Sequence, residues 1–452
     1  MKDMYSFLRT NSELDVLIGM EYYVTSTPPI RGKLRKSPED FQVFEVSRQG
    51  IIAINVKGLK VLYDKTRGLY AIYILSKSNI PFNTMLSWLK SEFGTNNIGM
   101  AGIKDTRAVS HQFISIPLSD KVRDNILKSE SDGRYIALSF VGFSPKGLSV
   151  GGNLGNIFKI TIREVNVTRD VFKNVFEKLM HEIRVYGGLP NYFGYQRFGT
   201  IRPNTHIIGR YILLGDYEAA IMELLLSVYP HESPRSKEAR EFLKETMDFK
   251  RALNRFPPSL KYERIVIKYL SRHRNDYKGA LLRLPQWLRK LFIEAYQSYI
   301  FNKLVSYRLS LGIGLNEVIH GDNVFLLSSG YVRKAERDSD IDELQEYVDL
   351  GLARIELPLV GYATPINDTR LDEMLIKILE EEGIDLKLFK EVYPIAPPIK
   401  GTLRPLSCNP LLYDFSINDD TVTVTFFMPS GSYATVFLRE VLKPRDPFIV
   451  GL

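Results

Sequence analysis

Ala101–Gln112 reads A-G-I-K-D-T-R-A-V-S-H-Q. It sets one acid, Asp105, between two cations, Lys104 and Arg107, just past a glycine turn at Gly102. A carboxylate flanked by fixed positive charge stays ionised at neutral pH, because neighbouring cations favour the charged form. An ionised, held carboxylate is what a nucleophile or a proton-abstracting base requires. By itself K-D-T-R reads better as a charged surface turn. The segments around it decide between the two.

Moving outward, Phe41–Val46 alternates as a strand and Leu69–Leu75 (L-Y-A-I-Y-I-L) reads as a second. Pro81–Phe93 carries Met85, Leu86 and Leu89 at helical spacing and ends at Gly94. Phe113–Leu118, Ile136–Phe143 and Ile157–Val165 are rich in β-branched and aromatic residues and predict further strands. Thr168 is placed to cap a helix that presents Val171, Phe172, Val175, Leu179 and Ile183 on one face, stopped by Gly187-Gly188. About the first 190 residues therefore form an α+β unit.

Beyond them the pattern turns helical. Pro285 opens a long helix towards Gly312, and the acidic stretches Asp338–Asp349 and Asp372–Glu391 also read as helices. Strands return at Leu412–Ile417 and Thr421–Met428, joined by an N-D-D turn, with Ser432 as the expected cap of a closing helix through Leu442. Strands at both ends with helices between imply one discontinuous domain carrying an insertion.

At 452 residues the chain is long enough for two domains, and 44% hydrophobic with 25% charged residues is ordinary globular composition. The single cysteine, Cys408, excludes an internal disulfide framework and a Cys-cluster zinc site. The six histidines show no metal-ligand spacing, so no metal is expected. No apolar run approaches a membrane span, and the N-terminal Met1–Thr10 is polar, so a cytoplasmic protein is expected. The net charge of +8 is unevenly spread. Arg235–Lys290 holds sixteen Lys/Arg against six Asp/Glu, leaving the rest near neutral. Such a local positive field suits a polyanion, RNA or DNA being the commonest. Phe249, Phe256, Tyr262, Tyr269 and Tyr277 are mixed into the same block, most of them as core residues.

Six segments in order resemble the TruD family of pseudouridine synthases. They are Leu34–Glu45 (L-R-K-S-P-E-D-F-Q-V-F-E), Ala101–Gln112, Leu154–Phe158 (L-G-N-I-F), Pro190–Gly199 (P-N-Y-F-G-Y-Q-R-F-G), Ala295–Asn302 (A-Y-Q-S-Y-I-F-N) and Met428–Glu440 (M-P-S-G-S-Y-A-T-V-F-L-R-E). The resemblance implies an enzyme that isomerises uridine to pseudouridine in RNA without cofactor, metal or energy input, with uridine 13 of tRNA as the usual substrate. It also implies an α+β fold. A catalytic domain with a large mixed, mostly antiparallel sheet flanked by helices would be interrupted by a helix-rich α/β TRUD domain. The expected divisions are 1–188 and 402–452 for the catalytic domain and 189–401 for the insertion.

Carried over by position, Asp105 matches the family's catalytic aspartate. It could attack C1′, attack C6, or remove the C2′ proton to give a glycal; the sequence does not choose, and the glycal route is the one preferred here. Phe158 matches the aromatic that stacks on the flipped-out base, and reads equally as a strand core residue. Asn156 is suited to hydrogen bonding near the aspartate or the base edge, or to forming a turn after Gly155. Arg35 stands where many relatives carry lysine and is assigned to an RNA phosphate or to orienting the site. Lys104 is assigned to substrate binding beside Asp105. The aromatics of Pro190–Gly199 read as an inter-domain hinge, with Arg197 singled out for RNA contact. Because a base can be flipped into a pocket within one chain, a monomer is expected. A non-catalytic RNA-binding protein on the same scaffold is the competing reading.

Overall fold

The structure, a computed structural model, describes residues 5–54, 69–119, 121–123, 125–129 and 132–452. Met1–Met4 of the polar N-terminal stretch lie outside them. The α+β architecture centres on one nine-stranded sheet. Its strands are β1 (Phe41–Ser47), β2 (Tyr70–Ser78), β3 (Val109–Pro117), β4 (Asn125–Ser129), β5 (Tyr135–Ser144), β6 (Asn153–Ile162), β7 (Leu411–Asn418) and β8 (Thr421–Pro429), with the short Gly99–Met100 alongside β3. In space the order is β7-β8-β6-β1-β3-β2-β5-β4. Every neighbouring pair is antiparallel except β1 with β3. The hairpin β7–β8 therefore brings the late strands of the chain beside β6, as the two ends of the sequence implied.

One face of this sheet carries two separate apolar cores. On one side, Ala71, Tyr73 and Leu75 of β2 and Ile114 and Ile116 of β3 pack under α1 (Phe82–Phe93) through Met85, Leu89 and Phe93. On the other, Phe158, Ile160 and Ile162 of β6 and Val422, Val424 and Phe426 of β8 pack under α2 (Arg169–Val185) and the closing helix α4 (Ala434–Leu442). The alternation of β8, T-V-T-V-T-F-F-M-P, makes this a one-sided strand, with Val422, Val424, Phe426 and Met428 buried.

Several local expectations shift. The buried stripe of α2 is Phe172, Phe176, Leu179, Met180 and Ile183, while Val171 is exposed. The spacing of four and seven between Phe172, Phe176 and Leu179 is the tighter helical face. Strand β6 ends at Ile162, before Val165, because Glu164 takes φ 59°. The acidic stretch at 372–391 is two helices, Arg370–Glu382 and Leu388–Glu391, broken where Gly383 takes φ 67°. Tyr433 caps α4, whereas the Ser432 hydroxyl closes the preceding turn on the Pro429 carbonyl.

Residues between β6 and β7 build helices around α3 (Gln286–Ser310), together with a separate four-stranded sheet from Asn323–Leu326, Val332–Lys334, Ala353–Leu359 and Thr402–Pro405. These strands are short and lie in a region whose sequence reads as helical.

One buried ion pair ties the chain ends together. Asp15 and Arg439 are both fully buried, with Arg439 Nε 2.7 Å from Asp15 Oδ2. Arg439 also donates to the Met20 and Tyr22 carbonyls, and Asp15 accepts from the hydroxyls of Thr10 and Tyr195. Removing one partner leaves an uncompensated buried charge. Arg439→Met is expected to lose about 3–5 kcal/mol of unfolding free energy in urea titration, and Arg439→Met with Asp15→Asn clearly less.

Candidate active site

Between the two cores the same sheet face turns polar. Continuing the alternation inward from each core brings up Lys77 on β2, Ser110 and Gln112 on β3, Glu45 on β1 and Asn156 on β6. Lys77, Ser110, Gln112 and Glu45 are buried. Lys77 pairs across with Ser110, Ser110 with Val43, and Glu45 with Asn156. A strip of buried polar groups between two apolar masses costs free energy unless each finds a partner. For Lys77, Gln112, Glu45 and Asn156 partners come from the segment 101–108 that lies over it, while the Ser110 hydroxyl has none among the described residues.

Lys104 turns down into this strip, its Nζ 2.9 Å from Glu45 Oε2 and 2.6 Å from Asn156 Oδ1. Glu45 Oε1 in turn accepts from the Phe113 amide. The side chain of Asp105 stays partly exposed, at 27%. Its Oδ2 accepts from Arg35 Nη2 at 2.8 Å and from Gln196 Nε2 at 2.8 Å. Its Oδ1 has no hydrogen bond among the described residues. Beneath it, Lys77 Nζ donates to the Asp105 carbonyl.

Arg35 is held by its own surroundings. Its Cζ lies 4.1 Å from the centre of the Phe41 ring, and its backbone takes φ 54°. Burial lowers the affinity of its guanidinium for the proton and Asp105 opposes that, so the group stays a cation. Gln196 arrives on the turn Tyr195–Arg197, whose Tyr195 hydroxyl is anchored on Asp15 at 2.7 Å. Burial first, then the charge of Asp15, pushes that hydroxyl well above its usual pKa, so it remains a donor. Gly194 is required just before the turn, since a Cβ there would meet Thr435 Oγ1 at 2.8 Å and the Tyr433 ring at 3.1 Å. Gly155 of the L-G-N-I-F segment is required likewise, because a Cβ would strike the Met428 carbonyl on β8.

The structure thus gathers Asp105, Arg35, Lys104 and Asn156 into one place, with a changed pairing. The cation on Asp105 is Arg35, seventy residues away in sequence, whereas Lys104 serves Glu45 and Asn156, and Arg107 is exposed. Asn156 meets Lys104 and not the aspartate. Phe158, on the same face two residues on, is 8% exposed, stacked on Phe426 at 5.5 Å and edge-on to Phe41 at 6.2 Å. Arg197 is not brought to Asp105. Its Nε donates to Ser298 Oγ and its Nη2 is 3.6 Å from Glu294. Gln196, beside it, makes the contact instead. Gln196 and Lys77 are the site residues the sequence reading missed; a lysine inside the run Y-A-I-Y-I-L-S-K-S was the available signal for the second.

The basic block resolves into two kinds of cation. Arg240 is fully buried between Glu232 and Glu263, Arg264 is spent on the Leu253 and Phe256 carbonyls, and Arg289 on those of Pro394 and Ile395. Lys244, Lys250, Arg251, Lys261, Arg272 and Arg274 are exposed. Phe249 and Phe256 are core, and the exposed aromatic is Trp287, 5.9 Å from Tyr262. A cleft of about 1110 Å³, lined in part by Arg31, Lys33, Ile201, His231, Arg445 and Ile449, opens along the two segments that lead to Arg35 and Gln196. Among the described residues no three His, Cys, Asp or Glu side chains are grouped to hold a metal ion, and no helix is long and apolar enough to cross a membrane.

A sequence model of the family described as tRNA pseudouridine synthase D (TruD) matches residues 17–441. A protein of Methanococcoides burtonii named "Probable tRNA pseudouridine synthase D" is 33% identical over 440 residues, covering 94% of this chain and 96% of its own length. One of the same name from Pyrococcus furiosus is 35% identical over 433 residues, covering 94% and 99%. The crystal structure of a TruD protein from Methanosarcina mazei superposes with a TM-score of 0.79 at 31% identity, over 96% of this chain and 99% of that one.

Proposed function

The chain belongs to the TruD family, and from that premise we propose that it converts uridine 13 of tRNA to pseudouridine with Asp105 as the group that acts on the nucleotide. Membership makes it an isomerase, a tRNA pseudouridine synthase. The observation that carries the assignment of Asp105 is the grip on its carboxylate. Arg35 and Gln196 hold Oδ2 from two different segments, while Oδ1, on a partly exposed side chain, has no hydrogen bond among the described residues. A base must be held within reach of its proton and still have a lone pair to use.

In the preferred route Oδ1 takes the C2′ proton as the N1–C1′ bond breaks, giving a glycal and a uracil anion. After the base turns, C5 bonds to C1′, the proton returns to C2′, and the C5 proton is exchanged for one at N1. No atom is gained or lost overall. Arg35 stabilises the carboxylate before and after each transfer. Lys104 and Asn156 form the polar floor on which the base edge can be read. Phe158, fixed from behind by Phe426, is the rigid aromatic wall that a flipped-out uracil meets in place of its lost neighbours. Arg197 acts through its turn, keeping Gln196 in place, and not as a phosphate ligand.

The RNA on either side of the target is proposed to lie in the cleft that holds Arg31, Lys33 and Arg445, and the exposed cations of 235–290 to grip the backbone further out. The helices between α2 and β7 and the smaller sheet form the inserted domain. Its end is better drawn after Pro405 than at 401, because Thr402–Pro405 pairs with Ala353–Leu359. The site is assembled within one chain, which fits a monomer working in the cytoplasm.

Incubation with unmodified tRNA transcripts, followed by mass-spectrometric mapping, is expected to give pseudouridine at position 13. Product confined to other positions would sink the assignment of the target. Gln196→Ala removes a hydrogen bond to a charged group and should slow single-turnover conversion by about 10- to 100-fold. Arg197→Ala loosens the turn that carries Gln196 and should slow the same conversion, though by no more than Gln196→Ala does, with RNA affinity unchanged within about twofold; a clear loss of affinity would instead make Arg197 a phosphate ligand. Reversing Lys244, Lys250, Arg251 and Lys261 to Glu should weaken RNA binding and flatten its salt dependence, by roughly one unit of slope for each phosphate no longer neutralised.

A further inference from the structure

Lys77 is a charged residue where the fold has no evident need of one. It is next to last in β2, on the face that carries Ala71, Tyr73 and Leu75 into the core under α1. It is 0% exposed. A lysine so buried is costly unless paired, and almost every fully buried lysine has an acidic partner. Among the described residues no carboxylate lies within ion-pair distance of it. Its ammonium donates instead to two main-chain carbonyls, that of Ile80 at 3.1 Å and that of Asp105 at 2.5 Å. Burial pulls its pKa down to about 8, and the charge that opposes this is Asp105.

We infer that Lys77 is a positioning residue for the isomerisation, fixing from below the peptide that carries Asp105 and setting a positive charge beneath its carboxylate. This rests on the proposed role of Asp105. Arg35 and Gln196 hold the carboxylate from the sides, but both act on one oxygen at the tip of the side chain. Neither constrains the backbone from which the side chain springs. Lys77 supplies that constraint from a strand in the middle of the sheet, where its Cα cannot move. The bond to Ile80 steadies the same ammonium against the β2–α1 connection.

A plain stitch in the fold would make the same two bonds, and pH separates the two roles. Asp105, Lys104 and Arg107 are the titratable groups of the overlying segment, and Arg35 and Glu45 those of the Leu34–Ser47 segment; on β5 the residue opposite Lys77 is the apolar Ile136, while Tyr135, opposite Ser78, is on the other side of the sheet. His111 on β3 faces away, bonded to Ser76 on the opposite side of the sheet. Burial of Lys77 places its loss of charge in the range in which conversion is readily followed.

The test measures single-turnover conversion of tRNA transcript at saturating enzyme, from pH 6.5 to 9.5 in steps of about half a unit, with RNA affinity in parallel. At neutral pH Lys77→Met is expected to be slower by about 10²-fold, as for displaced catalytic groups, with affinity unchanged within about twofold. The ratio of wild-type to variant rate should shrink as pH rises through 8, because the wild type then loses the cation the variant lacks. A ratio constant across that range, a variant at wild-type rate, or a rate loss matched by lost affinity would each overturn the inference. Should Lys77→Met not fold, Lys77→Arg decides, since its cation does not titrate here. Its rate should hold above pH 8 where the wild type falls, and a parallel fall would count against the inference. If wild type itself forms no pseudouridine, the failure lies with the proposed function.

Discussion

The buried pair of Asp15 and Arg439 holds together three stretches of chain that the catalytic arrangement needs in register. Asp15 lies near the N-terminus, Arg439 in the closing helix, and Tyr195, which donates to the same carboxylate, on the turn that delivers Gln196 to Asp105. A fully desolvated ion pair contributes little net stability once its dehydration is counted, but it tolerates almost no displacement. Its effect here is geometric. The closing helix begins at Ala434, directly beside Gly194, so fixing that helix also fixes the wall from which Gln196 reaches across. A chain whose catalytic sheet is assembled from both ends of the sequence requires such a tie.

The position of the site follows from the sheet. Two apolar cores on one face leave a polar strip between them, and that strip falls where β1 and β3 run parallel while every other neighbouring pair is antiparallel. Each buried charge in the strip is satisfied by a named partner: Lys104 by Glu45 and Asn156, Arg35 by Asp105, and Lys77 by two carbonyls. Groups held this way are oriented before substrate arrives. They need not reorganise when charge develops on the nucleotide, and such preorganisation is usually the largest electrostatic contribution to catalysis.

Much of this was readable in the sequence, for reasons that differ from residue to residue. The strands of the large sheet were legible because β-branched and aromatic runs such as Y-A-I-Y-I-L and T-V-T-V-T-F-F have no helical alternative, and the cap at Thr168 and the stop at Gly94 fell where expected. Asp105 stood out by its motif. Its true cationic partner did not, since Arg35 lies on a different segment and sequence proximity favoured Lys104 and Arg107. The contact of Gln196 with Asp105 went unread for a similar reason, Arg197 having been singled out for RNA contact. Charge drew attention, while the turn geometry that points Gln196 inward and Arg197 towards Ser298 and Glu294 is set by Gly194 and Tyr195. The four short strands near 323–405 went unread because they pair with one another across long separations, which local periodicity does not register. In the basic block, composition overstated what is available, since Arg240, Arg264 and Arg289 are consumed by the fold itself.

The account stands or falls on Asp105 being the group that acts on the nucleotide and not merely a charge in a binding groove. The direct measurement compares wild type with Asp105→Asn, following pseudouridine formation in tRNA transcript and RNA affinity in the same preparations. Asparagine keeps the shape of the side chain and can still pair with Arg35 or Gln196 through its oxygen, but it cannot take a proton from C2′. The account predicts product from the wild type alone, with affinity retained in the variant. Pseudouridine formed by Asp105→Asn at a rate near that of wild type would contradict it.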